Sequence, residues 1–491
     1  MSLNVLFVSA EVDPFAKVGG LADVAGSLPK ALRRQGVDAR VLMPYYGFIE
    51  RARFGIEPLF SFVLTRATDT IGVEVWTTVH DTVPVYFVRG LPFFGDETTV
   101  YGAWEFDSPR FIFFNQVTMA IAEEFGRRLD WFPDVLHVND WHTGLIPFLI
   151  DENRADPRWA AAGSMVSIHN MAYQGDNVGA WLLGAGIAPR AHPELVSRNL
   201  TDNLLATALA YSDVISTVSP RYATEIQYPS MGNGLDALLR TRVADLYGIL
   251  NGIDVDVWNP ETDPALVANF NSETVQERRV LNKRQLQADS RLDVRDDVPL
   301  IGLVSRLVWQ KGIDLAVPAL RRVLVDTDVQ FIALGNGEPD LNQQLLRLGQ
   351  DFHWRASVFL GYNATVAQRI YAGADLFLMP SRYEPCGVGQ MLAMRYGALP
   401  LVRETGGLAD TVQNYDDADA DVGTGFMFLP EEPDAIVATL RWALRTYRDR
   451  QDAWRRMQKR AMETDFTWDK SARQYANLYE QIHSKRKERS L

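Results

Sequence analysis

The chain of 491 residues has 47% hydrophobic and 23% charged residues and a formal net charge of −13. At roughly 150 residues per domain, that is the composition of a soluble globular protein of two to four domains. The 49 Lys and Arg against 62 Asp and Glu argue against nucleic acid or an anionic membrane as the main partner, because a polyanion is repelled. One small anionic ligand needs only a local basic cluster. The single cysteine, Cys386, excludes an intrachain disulfide and a Cys-rich zinc site, and it fits a reducing compartment. The opening MSLNVLFVSAEVDPF lacks a basic leader, and Glu11 and Asp13 interrupt its apolar run. No stretch approaches the ~18 apolar residues that a membrane span needs. The expectation is a cytoplasmic protein with no membrane partner.

In chain order, NVLFVS at 4–9 reads as a buried strand. A Gly-rich turn at Gly19–Gly20 follows, then a helix ending near Gly36 and a strand at 37–43. Strands at 83–88, 135–139, 165–169 and 214–218 continue the series, with helical stretches between most of them. Near-continuous apolar strands alternating with helices indicate a parallel sheet covered on both faces. The pattern restarts with PLIGLVSR at 299–306 and runs through strands at 330–334, 357–360, 376–379 and 399–402. The reading is two doubly wound Rossmann-like α/β domains facing a central cleft: 1–246, 247–464, and a terminal segment from 465. The polar stretch 259–298 is expected to hold one exposed helix. The tail KRKER at 485–489 is expected to be frayed and solvated.

Four motifs carry chemistry. Lys17-Val-Gly19-Gly20 removes side chains so that amides can approach an anion at a helix start, with Lys17 adding a charge. In Ser305-Arg306-Leu-Val-Trp-Gln-Lys311-Gly312 a cation opens a helix against the macrodipole. Arg306 and Lys311 together suit a diphosphate. The plain alternative is two surface charges whose stems pack on Trp309. In Glu384-Pro-Cys386-Gly387-Val388-Gly389-Gln390 the glycines bare amides at a helix start, and Glu384 could accept sugar hydroxyls; the alternative is a capping carboxylate. Finally, His137-Val-Asn-Asp140-Trp-His142 and Ser167-Ile-His169-Asn170 follow strands, at the carboxyl edge where such sheets bind ligands. A metal set of His137, Asp140 and His142 is disfavoured, because strand alternation does not aim all three together. Asp417, Asp419 and Asp421 do not make a calcium loop, since its sixth and twelfth positions are Val422 and Phe428. There is no GxSxG elbow, Walker lysine loop or HExxH helix. GGLADV at 19–24 is echoed by GGLADTV at 406–412.

Together these stretches resemble the bacterial glycogen synthases, the ADP-glucose type of starch/glycogen synthase. The resemblance rests on FAKVGGLADVAGSLPKAL, HVNDWHTGLIP, SIHNMAYQG, STVSPRYATEI, GILNGIDVDVWNP, VSRLVWQKGIDL and PSRYEPCGVGQMLAMRYGALPLVRETGGLADTV, all in the family's order. It implies a GT-B fold and retaining transfer of glucose from ADP-glucose to an α-1,4-glucan (glycogen), with no metal or cofactor. By matching position it assigns Lys17, Gly19 and Gly20 to the donor diphosphate, and Arg306 and Lys311 to that diphosphate as it leaves. Glu384 grips glucose hydroxyls, and the backbone of Cys386, Gly387, Val388 and Gly389 receives sugar and phosphate. Thr405, Gly406 and Gly407 complete the phosphate pocket, Tyr362 stacks on adenine, and Asp140, His169 and Asn170 serve the donor sugar and acceptor. It also implies that the last helix returns to the first domain. The chain departs from the family at Val388-Gly389, where Leu-Thr is usual, at Asn139, where His is usual, and at Val18, where Thr is usual. A UDP-glucose enzyme, a phosphorylase carrying pyridoxal phosphate and a non-catalytic glucan binder are the competing readings.

Overall fold

A computed structural model describes residues 2–490. The chain forms two compact units. One runs through Gly252 and takes back the helix that starts at Trp468; the other spans Ile253–Thr467.

The first unit is built on β1 (Asn4–Val8), β2 (Asp38–Pro44), β3 (Glu57–Thr65), β4 (Thr70–His80), β5 (Val83–Arg89), β6 (Val135–Asn139), β7 (Gly163–Ile168), β8 (Val214–Thr217) and β9 (Leu246–Gly248). Their order in the sheet is 3-4-5-2-1-6-7-8-9. The second unit holds β10 (Leu300–Leu307), β11 (Gln330–Gly337), β12 (Ala356–Leu360), β13 (Leu376–Met379), β14 (Leu399–Arg403) and β15 (Phe426–Phe428), ordered 12-11-10-13-14-15. Val5 to Val8 of β1 and every residue of β6 and β7 are buried, because helices cover both faces. That is why these strands read as unbroken apolar runs.

The all-parallel expectation needs correcting in the first unit. β3 and β4 form an antiparallel hairpin, Thr65 opposite Thr70, and β4 runs antiparallel to β5. On β3 residues alternate between half-buried and exposed from Phe60 to Thr65, so this edge is solvated on one face and lacks the apolar run that marked the other strands. β9 pairs in parallel with β8, so residue 247 lies inside a strand of the first unit and the changeover falls after it.

Two further expectations are corrected. The helix Val275–Asp289 is not simply exposed: Arg279, Asn282, Lys283 and Gln287 are buried on it. Arg279 donates to the carbonyls of Tyr396, Tyr371 and Ala374, and Lys283 to Asp375. Burial pulls the Arg279 pKa down to about 10. Hydropathy misreads such a helix, because charges can be buried when each proton finds an acceptor. The KRKER tail is also not frayed. It continues the helix Trp468–Ser490, and the Arg486 guanidinium pairs with Asp213 at 2.5 Å.

That terminal helix packs on the helices Gly20–Arg34 and Pro157–Ala161 and on β7. Tyr475, Tyr479 and Ile482 are fully buried, and the Tyr479 hydroxyl lies 2.6 Å from His137 Nδ1 inside β6. Gly163 is required here: a Cβ would stand 2.1 Å from Ile482 Cγ2. Ile482→Ala should destabilise the first unit by about 2–5 kcal/mol, the cost of a buried large-to-small change. Lys485→Ala, on the exposed side of the same helix, should change stability by less than about 0.5 kcal/mol. Thermal denaturation of both variants checks the pair.

Candidate active site

In both sheets the chain order reverses beside a central strand. In the first unit β1 lies between β2 and β6; in the second, β10 lies between β11 and β13. The connections from such a pair leave in opposite directions and open a crevice at the carboxyl ends, the usual ligand site of open α/β sheets. The candidate residues fall at these two places.

In the first unit the loop after β1 carries Lys17 and Gly19 and leads to the helix start at Gly20, the turn after β6 carries Asp140, and His169 and Asn170 directly follow β7. Asp140 Oδ1 accepts the His169 amide at 2.7 Å, and His169 Nε2 lies 2.9 Å from Asn139 Oδ1. Asp140, His169 and Asn170 are thus brought together. Asp140 has φ 53° and ψ −166°, a conformation that strains any residue but glycine and costs of order 1–3 kcal/mol. It is 7% exposed. Burial pushes its carboxyl up to about 7, against the amides of His169 and Asn170, which favour the charge, and with Glu11 nearby, which opposes it. Burial likewise holds His137, His142 and His169 neutral, at about 3, 3 and 4. His137 is a core residue, bonded to Tyr479 and to Ser167 Oγ at 2.6 Å.

The Gly19–Gly20 turn differs from expectation. Glu11, only 4% exposed, accepts the amides of Val18 and Gly19 at 2.7 and 2.8 Å on Oε2 and the Tyr101 hydroxyl on Oε1. The Gly19 amide, expected to face an external anion, is therefore taken by an internal carboxylate, together with that of Val18. Lys17 pairs with Asp23 at 2.5 Å and lies 3.8 Å from Asp13. A Cβ on Gly19 or Gly20 would meet nothing within 4 Å, so the space over the turn is open. Tyr101 also stacks on His142, ring centroids 5.2 Å apart. Neither Glu11 nor Tyr101 was legible as a site residue. Glu11 registered only as a break in an apolar run, and Tyr101 lies in no motif.

In the second unit the turn after β10 and the loop after β13 meet. Lys311 Nζ lies 2.5 Å from Glu384 Oε2, and the Ser381 hydroxyl donates to the same oxygen at 3.0 Å. Glu384 is 5% exposed. Its partner is a cation, so it is no helix cap. Lys311 closes a single 3₁₀ turn, Trp309–Lys311, and the helix begins only at Ile313 after Gly312 at φ 65°; the cation stands before the helix rather than in it. Arg306 is exposed at the end of β10. The guanidinium over Trp309 is that of Arg382, 4.4 Å from the ring centroid.

The helix expected from Gly387 starts at Gly389, because Gly387 adopts φ 73°. A Cβ there would come within 2.6 Å of Gln390 Oε1. Gly406 and Gly407 seat a second helix start on this loop. Their Cβ atoms would stand 1.9 Å from the Glu384 carbonyl oxygen and 2.1 Å from that of Cys386, and the Gly407 amide donates to Glu384 O at 3.0 Å. Thr405, Cys386, Gly406 and Gly407 are buried and Val388 half-buried beside them. Tyr362 is 90% exposed after β12. The Tyr371 hydroxyl, within electrostatic range of Tyr362, would lie 3.5 Å from a Cβ on Gly389.

The raised Asp140 pKa has a thermodynamic sign. The unfolded carboxyl, near 3.8, ionises before the folded one at about 7, so stability falls as pH rises between these values. Asp140→Asn does not titrate, while the histidine contributions are common to both proteins. The stability of Asp140→Asn relative to the parent should therefore rise by roughly 3 kcal/mol from pH 4 to pH 7 and level off above it. Urea denaturation across that range would show a constant difference if the carboxyl were ordinary.

Comparison with known proteins identifies the family. Residues 4–241 match the starch synthase catalytic domain family, and residues 286–461 match the glycosyl transferases group 1 family. The chain is 41% identical over 484 residues to a glycogen synthase of Syntrophotalea carbinolica, covering 97% of this chain and 98% of that protein. It is 41% identical over 489 residues to that of Streptococcus sanguinis, covering 98% and 100%. The solved catalytic domain of starch synthase IV from Arabidopsis thaliana, bound to ADP and acarbose, superposes with a TM-score of 0.88 at 31% identity, over 99% of this chain and 100% of that one. Sucrose-phosphate synthase from Thermosynechococcus elongatus shares the fold at a TM-score of 0.60 and 16% identity, over 98% and 99%. The chain belongs to the glycogen and starch synthase family, glucosyltransferases of the GT-B fold.

Proposed function

We propose that the protein transfers glucose, with retention, from ADP-glucose to the non-reducing end of an α-1,4-glucan in the cytoplasm and releases ADP. The carrying observation is the ion pair of half-buried Lys311 with buried Glu384 at the switch point of the second sheet, with exposed Arg306 near the end of β10. The glycogen synthase names of the full-length relatives and the ADP in the plant structure support the donor and acceptor classes. No helix among the described residues is long and apolar enough to cross a membrane.

Breaking the anomeric C–O bond builds negative charge on the diphosphate and positive charge on an oxocarbenium-like sugar. Arg306 and Lys311 stabilise the first charge, as preorganised cations do best where water is scarce. Glu384, steadied by Ser381 and Lys311, accepts sugar hydroxyls. As the bond breaks, Lys311 shares its protons between Glu384 and the phosphate. No metal is invoked, because these cations meet the charge. Tyr362 is assigned to the adenine. Thr405, Gly406 and Gly407, with the Cys386–Gly389 turn, are assigned to the phosphates and sugar. Lys17 and the open turn at Gly19–Gly20 are also assigned to phosphate, without the Gly19 amide that Glu11 holds. Asp140, His169 and Asn170 are assigned to the donor sugar and acceptor. With no carboxylate assigned as nucleophile, the acceptor attacks on the face the diphosphate leaves, which assists by taking the acceptor proton.

Supplied separately with ADP-glucose and UDP-glucose and a glycogen primer, the enzyme should release ADP much faster than UDP. The reverse preference would replace the donor, and release with neither would remove the activity. Lys311→Ala and Arg306→Ala should each lower turnover about 10²-fold or more, read by nucleotide release. A trapped glucosyl adduct on Asp140 or Glu384 would overturn same-face attack.

A further inference from the structure

The position of Lys311 is not set by its own helix, because Gly312 separates the Trp309–Lys311 turn from the helix Ile313–Asp326. It is set from across the crevice by Arg382, a residue on the loop after β13 that no assignment above uses. Arg382 is 7% exposed. Its Nη1 donates to the Trp309 carbonyl and to Asp314 Oδ1, both at 2.7 Å; its Nη2 donates to Asp314 Oδ2 at 2.8 Å, and its Nε to Glu431 Oε1 at 2.7 Å. The Arg382 amide donates to the Gln310 carbonyl at 2.9 Å, and Gln310 Nε2 returns a bond to the Tyr383 carbonyl at 3.2 Å. The guanidinium also lies over the Trp309 ring.

These bonds bracket Lys311. Trp309 is two residues before it and Asp314 three after, so one planar guanidinium holds both sides of the turn. Arg382 itself is two residues from Glu384, the partner of Lys311. Only arginine can do this, because the fork to Asp314, the carbonyl bond and the bond to Glu431 need Nε, Nη1 and Nη2 in one plane. A lysine keeps the charge but not the fork. The close approach of Gly312, where a Cβ would stand 2.1 Å from the Pro380 carbonyl oxygen, brings the two segments together, and the Trp309 amide is anchored separately on Glu338 Oε1 at 2.9 Å; Arg382 alone ties Trp309 and Asp314 to each other.

We infer that Arg382 is a positioning residue: it touches no substrate and fixes Lys311 against Glu384 so that the ammonium stands ready for the leaving phosphate. This rests on the role proposed for Lys311, and the test separates the two. Arg382→Lys should lower turnover about 10-fold or more, as a small displacement of a catalytic charge does. In a Lys311→Ala background the same change should cost almost nothing further, because the two act as one unit. Additive losses, the signature of a merely structural role, would overturn the inference, as would normal turnover of Arg382→Lys. Acetylation of Lys311 by trace acetic anhydride, which loses acetate, read by mass spectrometry against exposed Lys485, should rise severalfold in Arg382→Lys; an unchanged ratio would overturn the inference. If Lys311→Ala alone keeps normal turnover, the proposed role of Lys311 falls, and the acetylation ratio still decides whether Arg382 positions it. Asp314→Asn, which removes the charge of the fork's partner, should reproduce both effects should Arg382→Lys fail to fold.

Discussion

A parallel sheet buried on both faces penalises unpaired polar groups. Both units of this protein rest on that constraint. Every residue of β6 and β7 is buried, so the polar groups that do chemistry are pushed past the carboxyl ends of the strands, where the chain turns and backbone donors are free. The single imidazole kept inside a central strand, His137, is held neutral and bonded at both ring nitrogens. The reversals of strand order at β1/β6 and β10/β13 then decide which strand ends matter.

Three buried carboxyl groups at these ends illustrate different solutions to desolvation. Glu384 has a lysine and a hydroxyl. Glu11 has two amides and a phenol. Asp140 has amides alone on a strained backbone, and burial dominates, lifting its pKa to about 7. A buried carboxylate beside a cation costs less than one without, and the one beside a cation is the group proposed to grip a neutral sugar next to a phosphate. Removing either partner of the Lys311–Glu384 pair strands the other, so loss of function at these positions combines lost catalysis with an uncompensated charge.

The repeated GGLAD segments show how the same residues serve different ends. At Gly19–Gly20 nothing in the protein occupies the space of a Cβ; at Gly406–Gly407 two carbonyl oxygens from the loop of Glu384 fill it, at 1.9 and 2.1 Å. The first pair leaves room above a turn, and the second allows two loops to close on each other. Identical letters arise because glycine is the answer to both requirements.

Two α/β units, the succession of their central strands along the chain, and Lys311, Glu384, Asp140 and His169 as polar residues at strand ends were legible in the amino-acid sequence. Alternation of apolar strands with helices and glycine-marked turns is a local signal, and local signals survive in one dimension. Pairing is a property of the folded chain and has no local signal. The β3–β4 hairpin was missed because a half-solvated edge carries no continuous apolar run. Arg279 and Lys283 read as solvated charges, and the KRKER tail as a frayed one, because the carbonyls and carboxylates that receive them lie as much as 273 residues away in the chain, as Asp213 does from Arg486. Glu11 and Arg382 belong to the same class. Each is ordinary where it stands in the sequence, and each is decisive where the fold brings its donors and acceptors together, since a buried charge is defined by its partners and not by its neighbours in the chain.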